Sequence, residues 1–218
     1  MSSTLSFFVQ NWDEVVRLAQ QHVFIVAIAV IIAIFTGVPA GIWITFHPTA
    51  ARVVLYLAGI MMTIPSIALF GIMIPILSVF GHGIGIVPAI IALVLYSQLP
   101  IIRNTYAAIR NVDPSIIDAG LGMGMTRTQV LLKVQIPLAL RVIFAGVRVA
   151  VVMSIGIGAI AAYIGAGGLG HFIFMGITQS YDAMINAGAI AVAVLAVVAD
   201  YVFRLLENRM VSRGLKAR

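Results

Sequence analysis

The residues best spaced to do chemistry lie between Asp113 and Pro137, in the run DPSIIDAGLGMGMTRTQVLLKVQIP, and the chemistry they suit is docking. Long apolar runs flank this segment on both sides, which makes it a polar loop presented to water by a membrane protein. Asp113-Pro114 is a helix start, because Asp can cap a helix and Pro tolerates the first helical position, where an N–H has no partner anyway. Ile116, Ile117 and Leu121 can then share a helix face. Gly120, Gly122 and Gly124 thin that helix and stop it. Thr126 followed by Gln129 is a capping box that starts a second helix through Val130, Leu131 and Leu132. Pro137 is expected to close this helix and open the next. A helix, a tight turn lined by small residues and a second helix make a surface that fits a groove on another protein.

Other constellations carry less. Gly165, Gly167 and Gly170 satisfy G-x-G-x-x-G, with Gly168 between them. A dinucleotide site needs a strand before that pattern, a helix after it and an acidic residue about 20 positions on. A long apolar span precedes it here and the acidic residue is missing, so the segment reads as a loop permitting close backbone approach at the outer mouth. No G-x-x-x-x-G-K-[ST] occurs, so ATP hydrolysis by a P-loop is excluded for this chain. His22, His47, His82 and His171 lack ligand spacing, and no metal is expected. Asp200 and Arg204 are four apart and can pair. Arg141 and Arg148 share a helix face, either snorkelling to the interface or bracing an inner gate. Thr63, Ser66, Tyr96, Ser97, Gln98 and Tyr163 are the polar and aromatic residues that could face a solute path. Aromatics among them could meet a quaternary ammonium through cation–π attraction.

The elements that position these groups are apolar helices. The chain has 218 residues, 62% hydrophobic and only 9% charged, with no cysteine. A soluble domain carries about 25% charged residues. The composition is that of a single integral membrane domain, and the net charge of +6 reads as topology signals at span ends, with no nucleic-acid partner. Residues 1–21 are expected to form an amphipathic interfacial helix through Leu5, Phe8, Trp12, Val15 and Ala19, or a short cap on the bundle, and are not a cleaved signal peptide. Residues 22–206 hold five spans, at about 23–46, 53–80, 84–102, 138–164 and 183–203, with a loop at 103–137. Pro65 and Pro75 fall inside the second span and free carbonyls that neighbours must satisfy. Ser154, Gly156 and Gly158 give the fourth a small-residue face. Arginines and lysines concentrate in the 103–137 loop and in the basic tail, 207–218. Both are therefore expected in the cytoplasm, with the N-terminus outside.

Asp118-Ala119-Gly120, then Gly124, then Val134, Ile136 and Pro137 resemble the "EAA" loop of ABC importer permeases, with Asp for Glu, Gly for the second Ala, Val for Ile and Ile for Leu. The stretches LPIIRNTYAAIRNVDPSIIDAGLGMGMT and YIGAGGLGHFIFMGI look like the osmoprotectant branch, which carries glycine betaine, carnitine or choline. The resemblance implies an all-α fold of five transmembrane helices, similar to methionine-importer permeases of type I, with a cytoplasmic coupling helix. It implies a bacterial inner-membrane subunit that is not an enzyme and works by alternating access. ATP and Mg would sit on a separate ATPase dimer, and a second permease subunit, identical or paralogous, and an external binding protein would complete the machine. Ile116, Ile117 and Leu121 would supply apolar contact to the ATPase and Asp118 a polar anchor. Ala119, Gly120 and Gly124 would permit close approach, and Thr126 and Gln129 would hold the second helix. The Gly165–Gly170 loop would line the exit from the binding protein. A methionine-type permease is the alternative within the class; a standalone carrier or channel would need coupling carboxylates or inverted repeats, which the sequence does not show.

Overall fold

The computed structural model describes residues 2–210; the tail residues 211–218, with Arg213, Lys216 and Arg218, lie outside the described residues. Every regular element among the described residues is helical: α1 (Ser2–Gln10), α2 (Trp12–Ile44), α3 (Pro48–Thr63), α4 (Ser66–Ser78), α5 (Ile86–Arg110), α6 (Pro114–Gly122), α7 (Arg127–Val130), a π-turn (Leu131–Gln135), α8 (Ile136–Ala161), a 3-10 turn (Ala162–Ile164), α9 (Gly170–Gln179) and α10 (Asp182–Met210). Four stretches are long and apolar enough to cross a membrane: Trp12–Ile44, Ile86–Arg110, Arg127–Ile164 and Asp182–Glu207. Counting the bent pair α3–α4 as one span brings the number to five.

Helix α5 is central, packed between α2 and α8, and small residues let the backbones approach. Ala29 and Ala33 of α2, Ala89 and Ala92 of α5 and Ala150 of α8 are fully buried in one core with Leu93 and Ile101. A Cβ on Gly41 would lie 2.6 Å from Thr105 Cβ, and one on Gly146 would lie 2.6 Å from Asn104 Cβ. A second core joins Phe7, Val15 and Leu18 to Leu169, Phe172, Ala183 and Ala187, with Phe7 edge-on to Phe172 at 5.4 Å.

Several boundaries differ from the sequence reading. The span expected at 84–102 continues as α5 to Arg110, so Arg103 and Arg110, expected in the loop, lie on a helix. The first twenty residues are not one interfacial helix. α1 ends at Gln10, and α2 runs unbroken from Trp12 through the polar pair Gln21-His22. The buried face of this region carries Phe7, Val15 and Leu18, while Leu5 and Trp12 of the expected stripe are exposed. The second span is not straight: it breaks at Ile64-Pro65, and its halves meet at 100°. Ile64, in the residue position before proline, is extended (ψ 123), as the Pro ring requires. Its carbonyl accepts a hydrogen bond from the Tyr96 hydroxyl of α5. Pro137 does not end a helix. The stretch Arg127–Ile164 is continuous: the π-turn ends at Gln135, and Pro137 stands in the first turn of α8, so it opens that helix as expected without ending the one before. There Ile136 N–H donates to Leu131 C=O, five residues back. The wider turn accommodates a residue that has no N–H and whose ring presses on the preceding turn.

Candidate functional site

The loop after α5 folds on itself through local chemistry. Asp113 caps α6, its Oδ1 accepting the Ser115 N–H at 2.8 Å. The Ser115 side chain first, and then this backbone N–H, hydrogen-bond the exposed Asp113 carboxylate and lower its pKa from the ordinary value. Helix α6 closes in a Schellman arrangement: Met125 N–H donates to Gly120 C=O at 3.1 Å and Gly124 N–H to Leu121 C=O at 2.9 Å. Gly124 occupies the left-handed position, φ +84°. Thr126 then opens α7 with a complete capping box: its N–H donates to Gln129 Oε1 at 2.8 Å, and Gln129 N–H donates to Thr126 Oγ1 at 3.2 Å.

The glycines of this loop divide by direction. Gly120 is buried, and a Cβ there would sit 3.2 Å from Val130 Cγ2, so Gly120 lets α6 lie against α7. Gly122 and Gly124 face open space. Outward, Ile116, Asp118, Ala119, Leu121 and Met123 are exposed and Ile117 is half-buried. Ile117, Leu121 and Val130 form, with Phe46 from the turn after α2, a cleft of about 250 Å³ rimmed by Arg127. The result is a preformed, partly apolar knob with its own cleft at one end of the bundle.

The Gly165–Gly170 loop lies at the other end of α8, a 26-residue helix about 39 Å long at 1.5 Å per residue. Gln21 and His22 of α2 hold it. Gln21 Oε1 accepts the Gly168 N–H at 3.2 Å and its Nε2 donates to Ala166 C=O at 3.4 Å. The buried His22 accepts the Leu169 N–H on Nδ1 at 3.3 Å, so its proton is on Nε2, which donates to Ile155 C=O at 3.1 Å. The glycines make room for these side chains and for helix contact: a Cβ on Gly167 would come 2.4 Å from the Gln21 amide, and one on Gly170 would come 1.9 Å from Ala159 O. The glycine pattern that matches a dinucleotide fingerprint is thus a packing solution between helices.

The model of binding-protein-dependent transport system inner membrane components matches residues 33–212. The chain belongs to that family. Among its curated relatives, the osmoprotectant import permease protein OsmW of Salmonella typhimurium is 47% identical over 213 residues, covering 98% of this chain and 99% of that protein. The carnitine transport permease protein OpuCB of Listeria monocytogenes is 40% identical over 216 residues, covering 99% and 97%. The glycine betaine/carnitine/choline permease protein OpuCB of Bacillus subtilis is 38% identical over the same length. In fold, the chain is similar to the inward-facing MetNI methionine ABC transporter, with a TM-score of 0.78 at 22% identity over 90% of this chain and 96% of the other. An amino acid ABC transporter solved with histidines gives a TM-score of 0.76 at 21% identity, covering 94% and 97%. The chain is an all-α, multi-pass inner-membrane permease component of an importer.

Within this permease the polar residues expected to face a path are dispersed. Ser97 is buried and hydrogen-bonds Ser154 across α5 and α8 at 3.1 Å. Tyr96 is buried on the Ile64 carbonyl. Gln98 Nε2 donates to Thr36 Oγ1 at 3.0 Å. Thr63 Oγ1 donates to its own helix at Ile60 C=O, and Ser66 is half-buried at the start of α4. Tyr163 is exposed and lies 5.4 Å from Phe174. Gly156 faces open space, whereas Ser154 and Gly158 face neighbours, Gly158 meeting His22.

Arg148 is neither snorkelling nor alone. It binds Asp200 and Glu207 of α10, both at 3.3 Å. Arg141 reaches Glu207 at 3.4 Å and Arg204 reaches Asp200 at 3.1 Å. Four charged groups therefore tie α8 to α10, and Arg204 joins the network from within α10. The sequence reading finds the local Asp200–Arg204 pair and misses Glu207, whose partners lie 59 and 66 residues away. Gln21 and His22 are missed for the same reason; two polar residues inside an apolar helix are the signal that could have found them.

Proposed function

We propose that this permease carries compatible solutes, small zwitterions or quaternary ammonium cations such as glycine betaine, carnitine or choline, and that a separate ATPase dimer drives it. The relatives whose names carry these solutes align over nearly the whole chain. The observation that carries the coupling is the loop. Asp113–Pro137 is a self-capped unit whose exposed side includes Ile116, Leu121 and Met123, a surface suited to a protein groove. Asp118 anchors the contact, Ala119 and Gly124 allow close approach, Gly120 joins the two helices, and Thr126 and Gln129 fix the second. ATP and Mg belong to the partner. Two permease subunits share one pathway, an external binding protein delivers the solute, and the Gly165–Gly170 loop faces it. The loop and the C-terminus face the cytoplasm and the N-terminus faces outward. Closure of the ATPase dimer moves the loop as a lever, and access alternates.

The test is ATP-driven uptake of glycine betaine by the complete complex in proteoliposomes. Gly124→Ala strains a left-handed turn by about 1 kcal/mol, and Gly124→Trp adds bulk where the chain itself leaves space. Gly124→Trp is expected to insert normally and to lose uptake while ATP is still hydrolysed. Normal uptake in that variant would remove the docking role, and uptake by the ATPase-free permease would favour a standalone carrier.

A further inference from the structure

Helices α3, α5 and α8 line an open groove of about 410 Å³ at the coupling-loop end of the bundle, where Met62, Arg103 and Val149 are exposed and Leu99, Asn104 and Met153 are half-buried. Arg103 lies seven residues before the end of α5, about 10 Å along the helix. Among the described residues it makes no ion pair and no hydrogen bond. The helices that wall the groove offer it no counter-ion, since Pro48–Thr63, Ile86–Arg110 and Ile136–Ala161 contain no Asp or Glu. Arg148, on α8, contrasts with it: that arginine turns to α10 and has two carboxylates. An arginine near the end of a membrane helix either snorkels to the interface or, turned into a groove of the protein, marks a pathway. Arg103 is exposed and places a fixed positive charge on the wall of a mixed polar and apolar groove. Asn104 stands beside it, its Nδ2 spent on Pro100 C=O at 2.7 Å, and its Oδ1 has no partner among the described residues.

We propose that this groove is a solute site in which Arg103 binds the carboxylate of a zwitterionic solute. The inference rests on the compatible-solute reading above and narrows it. The guanidinium fork matches a carboxylate and supplies charge-assisted hydrogen bonds. The body of the solute, a weakly hydrated trimethylammonium, lies against the soft thioethers of Met62 and Met153 and against Leu99 and Val149. The same positive charge repels choline, which is a cation without a carboxylate. The groove thus sets a preference for carboxylate-bearing solutes within the permease, beyond any choice made by a binding protein.

The experiment compares uptake of glycine betaine and of choline by proteoliposomes holding the complete complex with wild-type permease, Arg103→Lys or Arg103→Gln. Co-purification of the ATPase serves as the assembly control. Arg103→Gln should lower the maximal rate of glycine betaine uptake at least tenfold. The KM, fixed upstream by the binding protein, should not change, and more ATP should be consumed per solute carried. Choline uptake, where wild type shows any, should not fall. Arg103→Lys should recover much of the glycine betaine rate. An unchanged glycine betaine rate in Arg103→Gln overturns the proposal. So does an equal fall for both solutes, a failure of lysine to rescue, or a wild-type complex that carries choline and no carboxylate solute. A wild-type complex that carries neither overturns the compatible-solute reading itself and this site with it; the wild-type lane alone reveals that case.

Discussion

Gly120 and Gly122 stand two residues apart and do different work. Gly120 faces Val130 and holds α6 against α7, while Gly122 faces nothing. Gly120→Leu should open the loop and weaken association with the ATPase. Gly122→Ala should leave it intact, or strengthen it by a few tenths to about 1 kcal/mol, through the lower entropy of the unfolded chain. Co-purification of the two variants side by side checks this; equal losses would mean that the glycines serve the partner and not the fold of the loop. At this scale the sequence is informative wherever contacts are local. Asp113, Thr126, Gln129 and Gly124 have partners within a few residues, so their roles follow from spacing. The direction a glycine faces is not local. Three glycines of one loop look alike until Val130 is in place.

Elements show the same division. The helices of the Asp113–Pro137 loop start at the residues their caps predict, because capping is chemistry within one turn. The join of α1 and α2 and the run through Gln21-His22 are not legible, because the groups that satisfy those side chains lie near residues 155 and 166–169. The break at Pro65 is legible in the sequence, but not its 100° angle or the Tyr96 hydroxyl of α5 that reaches across to the Ile64 carbonyl at the bend. Tyr96→Phe removes the only donor recorded on the Ile64 carbonyl among the described residues. It should destabilise the purified permease by about 1 kcal/mol, the usual net worth of one hydrogen bond at a half-buried site. Thermal unfolding in detergent measures it, and an unshifted midpoint would show that water or a shifted neighbour replaces the hydroxyl. Pro137 teaches a further point. A proline stops a helix only if the preceding turn keeps α geometry, and here a π-turn absorbs it.

The whole molecule is a bundle with a different polar device at each end. At one end Gln21 and His22 fasten the Gly165–Gly170 loop; at the other, toward the Asp113–Pro137 loop, ions join α8 to α10. Glu207 touches both Arg141 and Arg148, and its side chain is mostly buried. Glu207→Gln should loosen that end of α10 by roughly 1 kcal/mol at low salt. The difference from wild type should shrink at about 1 M salt, where the Debye length falls to about 3 Å. Unfolding midpoints at the two ionic strengths test it, and a loss independent of salt would assign the effect to packing. Composition makes the bundle a membrane domain, and the loop motif makes it a permease. Its cross-connections depend on pairings between distant helices, which no single stretch of sequence encodes.

Because the chain has no cysteine, one introduced thiol reports a single position. Met123 is 77% exposed at the tip of the coupling loop, and its side chain is not needed for the turn. Met123→Cys, treated with a short thiol cross-linker in membranes that hold the whole complex, asks directly whether the loop meets an ATPase. The expected result is one cross-linked product containing the nucleotide-binding subunit, lost when Gly124→Trp is added to the same chain. A loop cysteine that labels freely, yields no such product and leaves ATP-driven uptake unaltered would contradict the docking role on which the transport mechanism depends.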